Sequence, residues 1–530
     1  MAGTYDIVVM GGGQNTLGAA AYLAKAGKKV IVLERNDVIG GGAVTVERNL
    51  PGFQYDKHSI AHVLIQANPL ILNDELGLLS QFGLRYFYPP SAATTVLEDF
   101  RTLHFFRDLD ATCESIAQYS QKDADTYREF VTWGMRIMPM VLAGMFNVPL
   151  PMSAFLGLLE QSDDGRRIID IMLRSPLQIV NELFETDIVK IHLLKFAGEG
   201  FPQFPDDMGT GLALLLSPPF IHMYGVGLPL GGSGDLSKAL ARCIEHHGGE
   251  VLTNREVGKV LTQGGKAVGL ETTDGERYMA KDAVIASIHP HHLDRFVEDL
   301  EPNMLARAKR TTPGPYSILK IDAALDHPVS VKTADGSGDG PNAIAEFVFA
   351  NTLTEYLQSY DPLRHGQLSL DRPLMSGGAI AAPGRVPDGK ALLYLLNFQP
   401  YDLADGGPQK WDEIKERTAD KVIERLGHFM PGLTPDVVTA RTVDSPLDMT
   451  RWSPNSMLHG DAGGIGSQFF HLGGYRPTPE LARYAVPGVD RLYLCGPFMH
   501  PGAGVFAVGR PTAIKICDDL GINFDKVVAQ

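Results

Sequence analysis

The stretch Val8–Ala20, VVMGGGQNTLGAA, constrains this chain more than any other. An apolar strand runs into clustered glycines and then into an alanine-rich helix. That turn aims the free backbone N–H groups and the positive dipole end of a helix at one point, which is an anion site. Loops that grip a dinucleotide follow G-x-G-x-x-G. The first glycine permits the turn, the second lets backbone approach a pyrophosphate, and the third lets helix and strand pack closely. Gly11 and Gly13 keep the first two tasks. Thr16 stands in the third place and compromises only close packing, and Gly18 offers a small surface half a turn later. Gln14, Asn15 and Thr16 open the helix and belong to the predicted cradle.

The next strand, KKVIVLE, ends at Glu34 and completes a β-α-β unit. A carboxylate there accepts hydrogen bonds from an adenosine ribose and repels a 2′-phosphate. Arg35 follows it, and then a second glycine cluster, Gly40–Gly42, in RNDVIGGGAVTVE. A glycine cluster directly after the ribose acid is the extended signature of FAD-binding oxidoreductases, which places Gly41 and Gly42 at the cofactor.

Further along, residues 110–216 carry apolar positions at helical spacing. LPLGGSGDLSKALARCIEHHGGEVLTN then gives a turn, a helix and a new strand, followed by short strands joined by Gly-Gly and Asp-Gly turns. Residues 315–400 mix strands with Pro/Gly loops, and helix returns at 411–429. The chain closes on the strand RLYLCG, a glycine-rich loop and a helix over 511–520. Glycine-rich strand turns at opposite ends predict an α/β chain with a Rossmann-like FAD-binding domain of discontinuous segments, 1–90, 225–290 and 480–530. An inserted α+β substrate-binding domain, with a mostly helical insert, takes 91–224 and 291–479.

A net charge of −15 argues against nucleic acid as a partner. The four cysteines, Cys113, Cys243, Cys495 and Cys517, form no C-x-x-C pair, so neither a zinc site nor a redox disulfide is expected. His246–His247 and His289, His291 and His292 lack ligand spacing, and no metal is expected. No signal peptide precedes the first strand, so a cytoplasmic location is expected. Residues 137–159, IMPMVLAGMFNVPLPMSAFLGLL, hold no charge, but Pro139, Pro149 and Pro151 would interrupt a membrane-spanning helix. A buried lid or pocket wall is expected there, with peripheral membrane contact as the alternative.

Over nearly its whole length the chain resembles the phytoene dehydrogenase-related FAD oxidoreductases, which include bacterial carotenoid desaturases. Within them it is most like the branch typified by pyridine nucleotide-disulfide oxidoreductase domain-containing protein 2. The resemblance rests on GGGQNTLGAAAYLAKAGKKVIVLERNDVIGGGAVT, GFQYDKHSIAHVL, RDLDATCESIAQYSQKDADTYREF, LPLGGSGDLSKALARCIEHHGGEVLTNREVGKVL, HGDAGGIGSQFF and LYLCGPFMHPGAGV, in that order. It implies an amine oxidase/phytoene desaturase-like fold with the backbone of Val257 against the adenine. It also implies that Gly496, Gly502, Gly504 and Val505 lie near the pyrophosphate and isoalloxazine, beside a helix starting near Pro511. Three departures stand out: Thr16, Ala43 where amine-oxidase relatives carry arginine, and Phe506–Ala507 where a Thr-Gly is frequent.

The resulting expectation is an FAD-dependent dehydrogenase, desaturase or oxidase taking hydride from a hydrophobic small molecule such as a polyene, isoprenoid or lipid. Its electron acceptor, oxygen or a quinone, and any homo-oligomer are left open. The apolar segments 137–159 and 211–221 are expected to wall the substrate pocket. His500, in FMHPG, is the first candidate for a catalytic polar group, and Tyr224, near His222, is a weaker one. No second G-x-G-x-x-G follows a strand, so direct NAD(P)H use is disfavoured. Two alternatives share the fold: a redox-neutral flavin-dependent double-bond isomerase or saturase, and a non-catalytic prenyl-binding escort.

Overall fold

The computed structural model describes residues 3–334, 336, 344–380, 384–502, 504–505 and 508–529. Its first sheet is built on Gly3–Met10, Val30–Leu33, Glu250–Leu252, Arg277–Ala286 and Leu492–Leu494, which pair in parallel with one another. Ile7, Val8, Val9 and Val30–Leu33 are buried on both faces, as central parallel strands must be. Arg277–Ala286 is long enough to serve two neighbours. Its first half pairs antiparallel with Lys266–Thr272, itself paired with Val257–Gln263, and its last residues pair with Leu492–Leu494. The strand register thus brings three distant chain segments into one sheet, with helices Gln14–Lys25 and Gly509–Asp519 packed together on it.

Those two helices approach unusually closely. A Cβ on Gly509 would lie 2.3 Å from the carbonyl oxygen of Asn15, and one on Gly18 would lie 3.6 Å from Gly509 Cα. The packing task that the loop's third glycine usually performs is carried out here between helices, by Gly18 and Gly509. Asn15 Oδ1 accepts the Val508 N–H at 3.0 Å and fixes the register of the two helix starts.

A second, mixed sheet of seven strands runs in the order Val438–Asp444, Ser317–Leu325, Ala391–Gln399, Leu374–Ile380, Ile344–Val348, Ser91–Leu97, Thr102–Phe106. Helices occupy 109–224, as the periodicity predicts. The uncharged 137–159 stretch splits into the end of Gln121–Met145, which contains Pro139, and the short helix Met152–Leu159. Among the described residues no helix is long and apolar enough to cross a membrane. Met140, Leu150 and Leu158 of this stretch are exposed.

Candidate active site

Two cavities meet between the sheets. The first is a cleft spanning about 1340 Å³, open solvent at its mouth included, at the carboxyl ends of the parallel strands, where open α/β sheets bind ligands. Gly11 adopts φ +92°, and a Cβ there would meet Ser287 Cβ at 3.1 Å. Gly13 is open: the nearest atom to its absent Cβ is Thr16 Oγ1 at 4.0 Å, so its missing side chain leaves room for a ligand. The helix that follows has neither a capping side chain nor an acid in its first turn, leaving its first amides to an anionic guest. Thr16 does not close the cleft. Its hydroxyl turns back on the loop, donating to the carbonyls of Gly11 and Gly13 and pinning the turn.

Glu34 is buried at the end of its strand. Its Oε2 accepts Gly12 N–H at 2.7 Å and its Oε1 accepts Asn36 N–H at 2.8 Å. Burial raises its pKa, against the pull of these amide donors. Each oxygen keeps a lone pair for a ligand hydroxyl. Gln14, Asn15, Arg35, Gly41, Gly42, Ala43, Val257, Gly496, Gly504 and Val505 line the same cleft. So do Arg255, two residues before Val257, and Ser287, Trp452 and Met457, which no sequence motif marks. Trp452 Nε1 donates to the Gly41 carbonyl at 2.8 Å, and the Lys57 ammonium sits 4.8 Å from its ring centre. Gln14 Oε1 is buried with no protein partner among the described residues. Open Gly13, uncapped amides and the ribose-type acid fit an adenine dinucleotide.

The second cavity spans about 1320 Å³, open solvent at its mouth included, and shares His58, Ser59, Ile318, Leu396, Ala462, Gly504 and Val505 with the first. His58 sits at this junction, only 7% exposed, and neither ring nitrogen has a partner among the described residues. Burial, helped by the charge of Lys57, pulls its pKa down to about 3, so the imidazole is neutral. Beside it Asp444 accepts Arg48 at 2.7 Å and Lys57 at 3.0 Å, and these cations hold it well below the usual carboxylate range against burial.

The structure puts several of the expected residues elsewhere. The second cavity is walled by the second sheet, by Phe196 and Glu199 of helix Asp187–Gly200, and by the 58–64 segment. Nothing from 137–159 lines it, and of 211–221 only Ser217 does. The apolar helix Leu212–Tyr224 is core instead. His500 lines neither cavity. Its ring nitrogen binds the Gly144 carbonyl at 3.0 Å, and burial takes its pKa down to about 4. Tyr224 also lies outside both and packs on Phe220. Gly502 is off the cleft, with the Arg476 guanidinium 3.1 Å from where its Cβ would be. The C-terminal helix starts at Gly509, earlier than expected. Phe506 and Ala507, like Ala503, lie outside the described residues.

Known proteins share this architecture. Residues 17–505 match the family model described as flavin containing amine oxidoreductase. The chain is 28% identical to pyridine nucleotide-disulfide oxidoreductase domain-containing protein 2 of Rattus norvegicus, covering 97% of this chain and 94% of that protein. It is 23% identical to phytoene desaturase (lycopene-forming) of Pantoea ananas, covering 97% and 99%. An oxidoreductase from Methanosarcina mazei shares the fold, with a TM-score of 0.60 at 18% identity over 97% of this chain and 99% of that one. With the glycine-lined cleft, the buried Glu34 and an adjoining cavity in one frame, the chain belongs to the flavin containing amine oxidoreductase family and is an FAD-dependent oxidoreductase.

Proposed function

We propose that the protein dehydrogenates a hydrophobic small molecule held in the second cavity, against FAD held in the first. The observation that supports this reading is the shared wall at His58, Gly504 and Val505, across which occupants of the two cavities would meet. In this reading Gly11, Gly13, Gln14, Asn15 and Thr16 hold the pyrophosphate and Glu34 the ribose. Arg35 and Val257 flank the adenine side, and Gly41, Gly42, Gly496, Gly504 and Val505 close on the rest. The first sheet with its helices forms the cofactor domain, and the second sheet with the 109–224 helices forms the substrate domain.

When bound, FAD supplies a two-electron acceptor that takes hydride. The chain's own residues position and dry the reacting end. Ile318, Leu396 and Val505 give it an apolar wall, and neutral His58 offers a ring nitrogen that can accept a hydrogen bond there. The exposed Met140, Leu150 and Leu158 supply a surface for peripheral membrane contact, suited to a substrate that partitions into lipid.

The test is purification with added FAD, followed by anaerobic titration with apolar alkenes while flavin absorbance is recorded. A yellow protein whose flavin bleaches with one class of alkene is expected. A colourless protein that refuses FAD overturns the reading. Turnover that requires pre-reduced flavin and transfers no net electrons replaces dehydrogenation by isomerisation.

A further inference from the structure

The wall of the second cavity carries a buried ionisable cluster. Glu199, Glu346 and Ser376 line the cavity, and Lys195 lies behind them, fully buried. Lys195 Nζ is 2.5 Å from Glu346 Oε2, 3.5 Å from Glu199 Oε2 and 4.7 Å from the Phe398 ring centre. Ser376 Oγ is 2.6 Å from Glu199 Oε1 and 3.1 Å from Glu346 Oε1. Two ionised carboxylates on one ammonium would leave a net charge beside the buried Lys195 and Glu346, which is costly. Burial and the neighbouring Glu199 push Glu346 well above its ordinary value. Against burial, Lys195 and its hydrogen-bonding neighbours hold Glu199 below its own. The pair therefore holds one proton, and the cluster is neutral, with a carboxyl O–H and a carboxylate side by side. Glu199 keeps 22% side-chain exposure where it lines the cavity.

Register fixes how far this cluster is from the reacting end. Leu396, on the wall common to both cavities, pairs across the sheet with Ser376, and Ser376 pairs with Glu346. Cross-strand partners share a face, and neighbouring strands lie about 4.8 Å apart. Ser376 is thus about 5 Å and Glu346 about 10 Å from the junction. A second observation marks the same cavity as built for a polar guest: the unpartnered ring of His58 at the junction.

We propose that the second cavity takes an apolar molecule bearing a neutral hydroxyl about 5–10 Å from its reacting end, with the hydroxyl held by Glu199, Glu346 and Ser376. This rests on reading that cavity as the substrate cavity. A plain hydrocarbon would desolvate Glu199 without replacing its water. An ammonium would oblige Glu346 to give up its proton, whereas a hydroxyl donates to the Glu199 carboxylate and leaves the proton shared with Glu346 in place.

The test uses the FAD-loaded protein filled with the apolar fluorophore N-phenyl-1-naphthylamine, displaced by 1-octanol, octane or octylamine. Octanol is expected to displace it at a concentration at least tenfold below octane. Glu199→Gln and Ser376→Ala are each expected to cut that preference below threefold, with flavin content retained. The two variants alter different atoms of the cluster, so either one that folds decides the matter. Equal displacement by octane, a preference that survives substitution, or octylamine outcompeting octanol overturns the inference. Displacement that leaves the flavin absorbance spectrum unmoved overturns the adjoining-cavity reading itself, whatever the preference.

Discussion

The two cavities that meet at His58 are made of different material. The dinucleotide cleft is mostly backbone: open glycines, uncapped amides and one carboxylate, itself held by two further amides. The second cavity is made of side chains, projected from a sheet whose strands come from widely separated parts of the chain. A backbone site tolerates a changed side chain so long as the turn survives, which is how Thr16 is accommodated. A side-chain site depends on each partner, because removing one strands the others.

That contrast can be tested at four points. Acid gives the largest effect, since it titrates side chains and leaves amides untouched. His58, His62, His192 and His289 are each taken down to about 3, with burial as the leading cause. They stay neutral in the fold while the unfolded chain takes up protons from the ordinary value of 6.5 downward. Stability is therefore present above pH 6.5 and falls below it, by about 1.4 kcal/mol per histidine per pH unit. Denaturant midpoints at pH 7 and pH 5.5 measure it; a flat profile breaks the account. Next, Lys195→Met leaves Glu199 and Glu346 without their cation and is expected to cost about 3–5 kcal/mol, seen in equilibrium unfolding.

On the backbone side, Glu34→Ala removes the ribose acceptor and frees Gly12 N–H. It is expected to weaken FAD binding by about 10- to 100-fold, the loss of roughly 1.5–3 kcal/mol from charged hydrogen bonds, as measured by flavin retention on dialysis. The smallest effect is Thr16→Gly. It restores the usual glycine and removes two loop hydrogen bonds, and FAD affinity is expected to stay within about fivefold, since the amides remain and one net bond is worth about 1 kcal/mol. A loss as large as that of Glu34→Ala would mean that the threonine grips the cofactor.

The cleft was legible because its parts are close in sequence and each has a local task. Gly11, Gly13 and Glu34 lie within one β-α-β unit, and the alternation of strand and helix is written in the apolar pattern. The second cavity was not. Glu199, Glu346 and Ser376 become neighbours only through strand register and the docking of helix Asp187–Gly200, neither of which leaves a local trace. His58 looks ordinary in YDKHSIAH, a histidine after a lysine in a loop. His500 drew attention because a histidine in a glycine loop near a flavin invites a chemical role, yet its ring is turned to Gly144. The uncharged 137–159 stretch misled in the same way, since an apolar run does not say which of its faces will be covered.

The bond between Asn15 and Val508 joins residues 493 positions apart. At about 5–20 residues per second, a ribosome needs roughly 25 to 100 s to travel between them. Throughout that interval the opening strands and helix wait without their closing partner, exposed to chaperones and proteases. The cleft that Gly504 and Val505 help to line is therefore assembled only once the chain between the two helices has been made.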